Sequence, residues 1–265
     1  MPGRAVQAAS LSEIVHRLEV ALRHRIGVLD LDVAFTLAKP WTSLFAPSGA
    51  GKSTVLRVIA GLVKPDGGRV VSAFVSQEPQ VRLTDTATGV FVPPHERNIR
   101  FVGQQSALFP HKTVSENVTY GMTSADKSEL SEILRICRIE HLLKKMPGNL
   151  SGGERQRVSL ARALAAGGAR ALLLDEPFTG LDVALRDAIT FDLRAWLRSR
   201  SIPVLHVTHD IGEVFSLADE VIRMEGGRVA AQGSPHDVLR AERERLLGLL
   251  DAEALPKRSS ADRDF

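Results

Sequence analysis

The sequence predicts an α/β fold on a mixed, largely parallel sheet, with an antiparallel β-layer near the N-terminus and an inserted helical subdomain. Three observations carry this reading. A short apolar run, 41–45, passes through a glycine-containing turn into a stretch where Val55, Ile59 and Leu62 recur at helical spacing. Strand-like and helix-like segments then alternate from 154 to 207, as crossover helices on a parallel sheet require. Ahead of both, 18–22 and 29–35 alternate apolar and polar residues, the pattern of half-buried antiparallel strands. The 265 residues, 44% hydrophobic and 25% charged, can bury one large domain or a domain with a subdomain.

Taken in order, the β-layer is expected within 11–45, from Leu18-Glu19-Val20-Ala21-Leu22 and Leu29-Asp30-Leu31-Asp32-Val33-Ala34-Phe35. Lys64-Pro65-Asp66-Gly67-Gly68 reads as a turn, and β-type runs at 70–75 and 89–92 extend the layer until Pro93-Pro94 ends it. From 113 to 148 the pattern is helical, with Ser115 as the expected N-cap and Leu130, Ile133, Leu134 and Cys137 on one face. This insert, about 113–165, is the expected helical subdomain. A helix at 154–166, a strand at 171–174, a helix at 183–200 and a strand at 203–207 complete the parallel part. The main domain is expected over 12–245 and a disordered tail over 253–265, where Pro256-Lys257-Arg258-Ser259-Ser260 lies.

Lys and Arg total 34 against 31 Asp and Glu, spread along the chain, so charge does not mark a nucleic-acid partner. A single cysteine, Cys137, excludes an internal disulfide and a multi-cysteine metal site, and suits a reducing compartment. No run reaches the 18 or so apolar residues of a membrane span, and residues 1–10 lack the order of a signal peptide. A cytoplasmic chain is expected.

Chemistry concentrates at three places. Ala46-Pro47-Ser48-Gly49-Ala50-Gly51-Lys52-Ser53-Thr54 reads as a phosphate-binding loop: successive N–H groups at a helix start cradle a polyphosphate, Lys52 reaches its terminal phosphates, and Ser53 ligates Mg²⁺. The motif asks for glycine where Ala46 stands, and an alanine held at positive φ would cost about 1 kcal/mol. Next, Ala171-Leu172-Leu173-Leu174 delivers Asp175 and Glu176 at a strand's C-terminal end, where such sheets bind ligands. Adjacent strand residues point opposite ways, so Asp175 is expected to hold Mg²⁺ and Glu176 to polarise an attacking water; the alternative is an exposed acidic turn. Third, Leu150-Ser151-Gly152-Gly153-Glu154 opens a helix with two glycines and a hydroxyl, a second anion site, although one ATP needs only one cradle.

Leu-Ser-Gly-Gly-Glu is the signature of ATP-binding-cassette proteins, and the order phosphate loop, signature, Asp-Glu strand resembles theirs over roughly 12–245. The resemblance implies a P-loop ATPase that hydrolyses ATP to ADP and phosphate. It implies a head-to-tail dimer in which Ser151, Gly152, Gly153 and Glu154 of one subunit complete the nucleotide site of the other. Gln104 matches the family glutamine that touches Mg²⁺ and the water, and His209 the histidine at the γ-phosphate. Asp182 matches the loop linking the two sites, and equally reads as the N-cap of the 183–200 helix. Members often stack adenine on an aromatic ahead of the loop; Arg23-His24-Arg25-Ile26-Gly27 offers imidazole, guanidinium and aliphatic surfaces instead.

Leu108 and Phe109, in Ser106-Ala107-Leu108-Phe109-Pro110-His111, sit where import cassettes receive a helix of the membrane-spanning permease, or else fill the subdomain core. With Gly89-Val90-Phe91-Val92-Pro93-Pro94-His95-Glu96-Arg97, that stretch is similar to the cassette subunits of molybdate importers. The resemblance implies a subunit peripheral on the inner face of the cell membrane, energising uptake of molybdate or a related oxyanion delivered by a substrate-binding protein. Sulfate, iron or polyamine importers stay open; a repair ATPase would need a long heptad-bearing insertion that the stretch between Lys52 and Ser151 cannot hold, and a translation factor carries two cassettes, so both of those readings are disfavoured. Molybdate cassettes generally carry a further C-terminal β-domain, which is not expected in this chain.

Overall fold

The computed structural model describes residues 16–74, 77–122 and 127–253. In chain order, β1 (His16–Ile26) and β2 (Leu29–Leu37) form a hairpin, followed by β3 (Trp41–Phe45), α1 (Lys52–Ile59), β4 (Gly67–Phe74), β5 (Gln77–Asp85), β6 (Val90–Phe91) and β7 (Ile99–Val102). The helical stretch holds α2 (Val114–Thr119), α3 (Lys127–Ile136) and α4 (Gly152–Ala165). Then come β8 (Ala171–Asp175), α5 (Val183–Ser199), β9 (Val204–Thr208), α6 (Ile211–Leu217), β10 (Glu220–Glu225), β11 (Arg228–Gly233), α7 (Pro235–Val238) and α8 (Arg240–Glu253).

Among the described residues the strands run β6-β5-β4-β1-β2-β11-β10-β3-β9-β8-β7 in one sheet. β10, β3, β9, β8 and β7 pair in parallel, whereas β2, β1, β4, β5 and β6 pair antiparallel. The two halves meet where Arg228 of β11 registers with Asp32 of β2. The mixed sheet and the antiparallel N-terminal layer are therefore as the sequence predicts.

β8 and β9 are buried along their whole length, as parallel strands covered on both faces must be. Alternation then sorts their side chains. Leu173, Leu205 and Val207 enter a core with Val55, Leu56 and Ile59 of α1 and Leu18, Leu31 and Val33 of the hairpin. Leu172, Leu174 and Val204 enter the opposite core with Ile133 of α3, Leu160 of α4 and Trp196 of α5. The helical insert thus packs on the sheet's own core. That fixes α4, and the signature at its start, relative to β8.

Arg97 ties these parts to the phosphate-loop helix. It is fully buried, and its Nη1 donates to the carbonyl of Val58 (3.1 Å), which also accepts from Gly61 N, and to that of Ile59 (2.9 Å), which the end of α1 leaves open. Nε donates to Val92 O and Nη2 to Thr84 Oγ1, so four acceptors hold a guanidinium with no carboxylate partner among the described residues. Burial lowers its pKa to about 10, which leaves it charged at neutral pH.

Several expectations are corrected. The N-cap of α2 is Thr113 and not Ser115: Thr113 Oγ1 accepts from Glu116 N, and the Glu116 carboxylate accepts from Thr113 N, a capping box that places Ser115 inside the first turn. β5, β7 and the β10–β11 hairpin lie outside the strands that the sequence pattern predicts. β5 carries Pro79 and charged residues, and β11, Arg-Val-Ala-Ala-Gln-Gly, lacks β-type composition; sheet pairing overrides both. Of the 89–92 run, only Val90–Phe91 is strand. The expected tail lies outside the described residues except for Glu253, as do residues 12–15 of the expected domain and Val75 of the 70–75 run.

Candidate functional site

The 46–54 loop leaves the C-terminal end of β3 and enters α1 at Lys52. Its reversals are made by Gly49 (φ 80°) and Gly51 (φ 88°), conformations that only glycine adopts cheaply. At Gly51 a Cβ would also lie 2.5 Å from Leu31 Cδ2, so the loop rests against the β1–β2 hairpin. Ala46 does not have positive φ and so does not bear the cost that a left-handed alanine would: the glycines downstream make the turn, and Ala46 is buried in the core beneath α1. Pro47 and Ser48 are exposed, and Ala50 N closes a turn onto Pro47 O (3.3 Å). Lys52 Nζ donates to the carbonyls of Ala46 (2.7 Å) and Pro47 (2.9 Å). Burial lowers the pKa of that ammonium, against the opposing pull of the Glu176 and Asp175 carboxylates.

Asp175 shares its face of β8 with Leu173, the face that α1 covers, and so meets the start of that helix: Ser53 Oγ donates to Asp175 Oδ1 at 3.1 Å. The carboxyl is almost fully buried, Oδ2 has no partner, and burial raises its pKa. A buried carboxylate oxygen left open beside a serine hydroxyl fits a hard divalent cation such as Mg²⁺, which takes oxygen ligands. Thr54 follows inside α1.

Glu176 leaves the strand in the left-handed region (φ 49°), its N–H anchored on Val207 O (3.0 Å) of β9. Its Oε1 lies 2.9 Å from His209 Nδ1, and its Oε2 accepts from Gln104 Nε2 at 3.5 Å. The structure thus gathers Gln104, Glu176 and His209, which stand far apart in sequence, around one carboxylate. The Gln104 segment is held from α4, where Gln156 Nε2 donates to Gly103 O (3.0 Å) and Arg162 Nη2 to Ala107 O (2.7 Å). A cleft of about 380 Å³ beside Glu176 is lined by Gln104, Ser106, Gly152 and Arg155.

Ser151 is the N-cap of α4 and forms a capping box with Glu154, whose carboxylate accepts from Ser151 N (2.7 Å) while Ser151 Oγ accepts from Glu154 N (3.1 Å). Glu154, expected at the nucleotide, therefore spends its carboxylate on the helix start. Gly152 is exposed, and a Cβ on Gly153 would lie 2.8 Å from Leu181 Cδ2, so α4 starts against the 179–182 loop. No hydrogen bond or ion pair among the described residues joins 151–153 to the phosphate loop. Asp182 caps α5, Oδ1 accepting from Leu185 N at 2.9 Å.

A family model described as "ABC transporter" matches residues 32–179, which span the phosphate loop, Gln104, the signature and Glu176. The chain belongs to the ABC transporter family. It is 42% identical over 226 residues to a "Molybdenum import ATP-binding protein ModC" of Rhizobium etli, covering 84% of this chain and 62% of that protein. It is 40% identical over 242 residues to a "Molybdate/tungstate import ATP-binding protein WtpC" of Archaeoglobus fulgidus, covering 90% of this chain and 95% of that one. Among solved structures, cbiO1 from Clostridium perfringens, described as part of the ABC transporter complex cbiONQ, matches with TM-score 0.67 and 25% identity, covering 88% of this chain and 98% of that one. A bacterial Atm1-family ABC exporter with ATP bound matches in fold (TM-score 0.72, 23% identity, 90% of this chain and 42% of that one).

In this ABC transporter chain, sequence reasoning missed the residues that hold the site from behind. Gln156, two positions after the signature, and Thr208 and Glu213, on either side of His209, were legible only as motif neighbours. Leu108 packs on the core of the helical insert, whereas the half-buried Phe109 ring packs at a tilt against Tyr120 (centroids 4.4 Å apart) beneath the Arg162 guanidinium.

Proposed function

We propose that this ABC transporter chain binds ATP with Mg²⁺, hydrolyses it to ADP and phosphate, and thereby energises import of molybdate or a related oxyanion. The observation that carries the hydrolysis is Glu176, a carboxylate at the C-terminal end of β8 held between His209 and Gln104. It stands one residue from Asp175 and within the field of Lys52. Glu176 accepts a proton from the attacking water, and His209 and Gln104 hold the carboxylate in the orientation that this requires. Ser53 and Asp175 would hold Mg²⁺, which when bound spreads the charge of the terminal phosphates. Glu176→Gln should keep ATP binding and lower kcat at least about a hundredfold, the usual cost of losing a positioned base. Turnover of that variant at the native rate would refute the assignment.

Ser151 and Gly153 act on the nucleotide of a second copy in a head-to-tail dimer. Their lack of polar contact with their own phosphate loop supports this. The permease docks at the groove of about 330 Å³ between sheet and helical insert, lined by Phe101, Phe109, Tyr120 and Arg162, beside Leu108. No described helix is long and apolar enough to cross a membrane, which is compatible with a peripheral subunit at the inner face of the cell membrane. The molybdenum and molybdate/tungstate import proteins to which the chain is similar support the oxyanion. Uptake of labelled molybdate by cells producing this chain with its permease, against sulfate as competitor, tests it.

A further inference from the structure

His209 is over half exposed and makes one polar contact through its ring, yet the backbone on both sides of it is fastened by groups that touch neither Glu176 nor the phosphate loop. Strand alternation puts Val204, His206 and Thr208 of β9 on the face opposite Leu205 and Val207. On that face Glu213 of α6 is buried. Its Oε2 accepts from Thr208 Oγ1 at 2.7 Å, and its Oε1 lies 3.6 Å from Arg186 Nη1. His206 Nε2 approaches Oε2 at 3.4 Å, an electrostatic contact, since neither ring nitrogen has a hydrogen-bond partner. Thr208 Oγ1 in turn accepts from Asp210 N at 3.0 Å, and Asp210, the N-cap of α6, pairs with Arg186 at 3.3 Å. One buried carboxylate thus fixes the residues directly before and after His209.

Arg186 gives the clamp its second anchor. It lies one turn into α5, where its N–H donates to the Asp182 carbonyl (3.0 Å), so it belongs to the helix start that Asp182 caps. The chain of contacts therefore runs from the 179–182 loop through Arg186 and Glu213 to Thr208 and His209, and ends on Glu176.

We infer that Glu213, through Thr208 and Arg186, is a positioning residue for His209 that ties the His209–Glu176 contact to the segment around Asp182. The inference rests on the ATPase reading of the Glu176 site. A buried Glu that only stabilised α6 would affect folding alone, whereas a positioning residue affects the rate at constant nucleotide affinity. Three variants separate these roles: Glu213→Ala, Glu213→Gln, which keeps an acceptor for Thr208, and the near-isosteric Thr208→Val.

The test compares ATPase kinetics, binding of a fluorescent ATP analogue, and amide hydrogen exchange in the nucleotide-free full-length chain. Glu213→Ala and Thr208→Val should each lower kcat about tenfold with KM nearly unchanged, because small misplacements of a catalytic group cost rate on that order. Combining them should add little, as for two parts of one network, and Glu213→Gln should recover part of the loss. Amides of 208–212 should exchange about tenfold faster in Glu213→Ala while those of 172–175 stay protected, since the opening is local. Native kcat in Thr208→Val, or unchanged exchange at 208–212, overturns the inference. If the native chain itself fails to hydrolyse ATP, the proposed function falls, and the exchange experiment still decides whether Glu213 holds the His209 segment.

Discussion

Ala46 and Cys137 show how single residues acquire their properties from what surrounds them. With positive φ at neither position, Ala46 is an ordinary buried alanine whose carbonyl receives Lys52. Ala46→Gly should therefore bring no gain in nucleotide affinity and should lower stability by about 1 kcal/mol, from chain entropy and a lost buried methyl. Parallel nucleotide titration and urea denaturation of the variant check this. Burial pushes the Cys137 thiol up to about 12, with Arg157 and Arg138 opposing weakly, so almost no thiolate exists at pH 8. A thiol reagent at pH 8 should label the chain only after denaturation. Rapid stoichiometric labelling of the native protein would show the site to be open.

At the scale of elements, α1 is set by its two ends. Glycines shape its start, and Arg97, from the segment before β7, satisfies carbonyls at its end while a Cβ on Gly61 would lie 2.3 Å from Arg97 Nε. Arg97→Met leaves the Ile59 and Val92 carbonyls and the Thr84 hydroxyl without a donor, and each buried unsatisfied group costs about 1–3 kcal/mol, so a loss of about 2–4 kcal/mol in unfolding free energy is expected. Equilibrium denaturation measures it. A variant as stable as the native chain would mean that water replaces the guanidinium. The same logic explains α2 and α4, whose starts are both closed by capping boxes, Thr113 with Glu116 and Ser151 with Glu154.

For the whole molecule, the proposed head-to-tail pairing of phosphate loop and signature sets the working unit to be tested. If each nucleotide is completed by Ser151 of a second copy, specific ATPase activity should fall on dilution as dimers dissociate. A dilution series across the dissociation range, with a mixture of Lys52→Ala and Ser151→Arg chains as a check, reads this out: the mixture should form heterodimers with one intact site. Specific activity independent of concentration down to a demonstrated monomer would contradict the composite site.

Chemistry carried by contiguous residues was legible in the sequence: the 46–54 loop, Asp175 with Glu176, and the 150–154 signature each need only neighbours in the chain, and the strand and helix periods place them at strand ends and helix starts. The parallel core was legible for the same reason, because strands buried on both faces must be apolar throughout. Tertiary structure alone decided what depends on distant partners. Pairing made strands of β5 and β11 against their composition; the Thr113–Glu116 capping box, by contrast, is local and lies in the Thr-x-x-Glu spacing itself. The gathering of Gln104, Glu176 and His209, and the Glu213 clamp behind them, also required the folded sheet. Periodicity reports which face a residue takes; only the packed sheet and helices determine which other residue waits on that face.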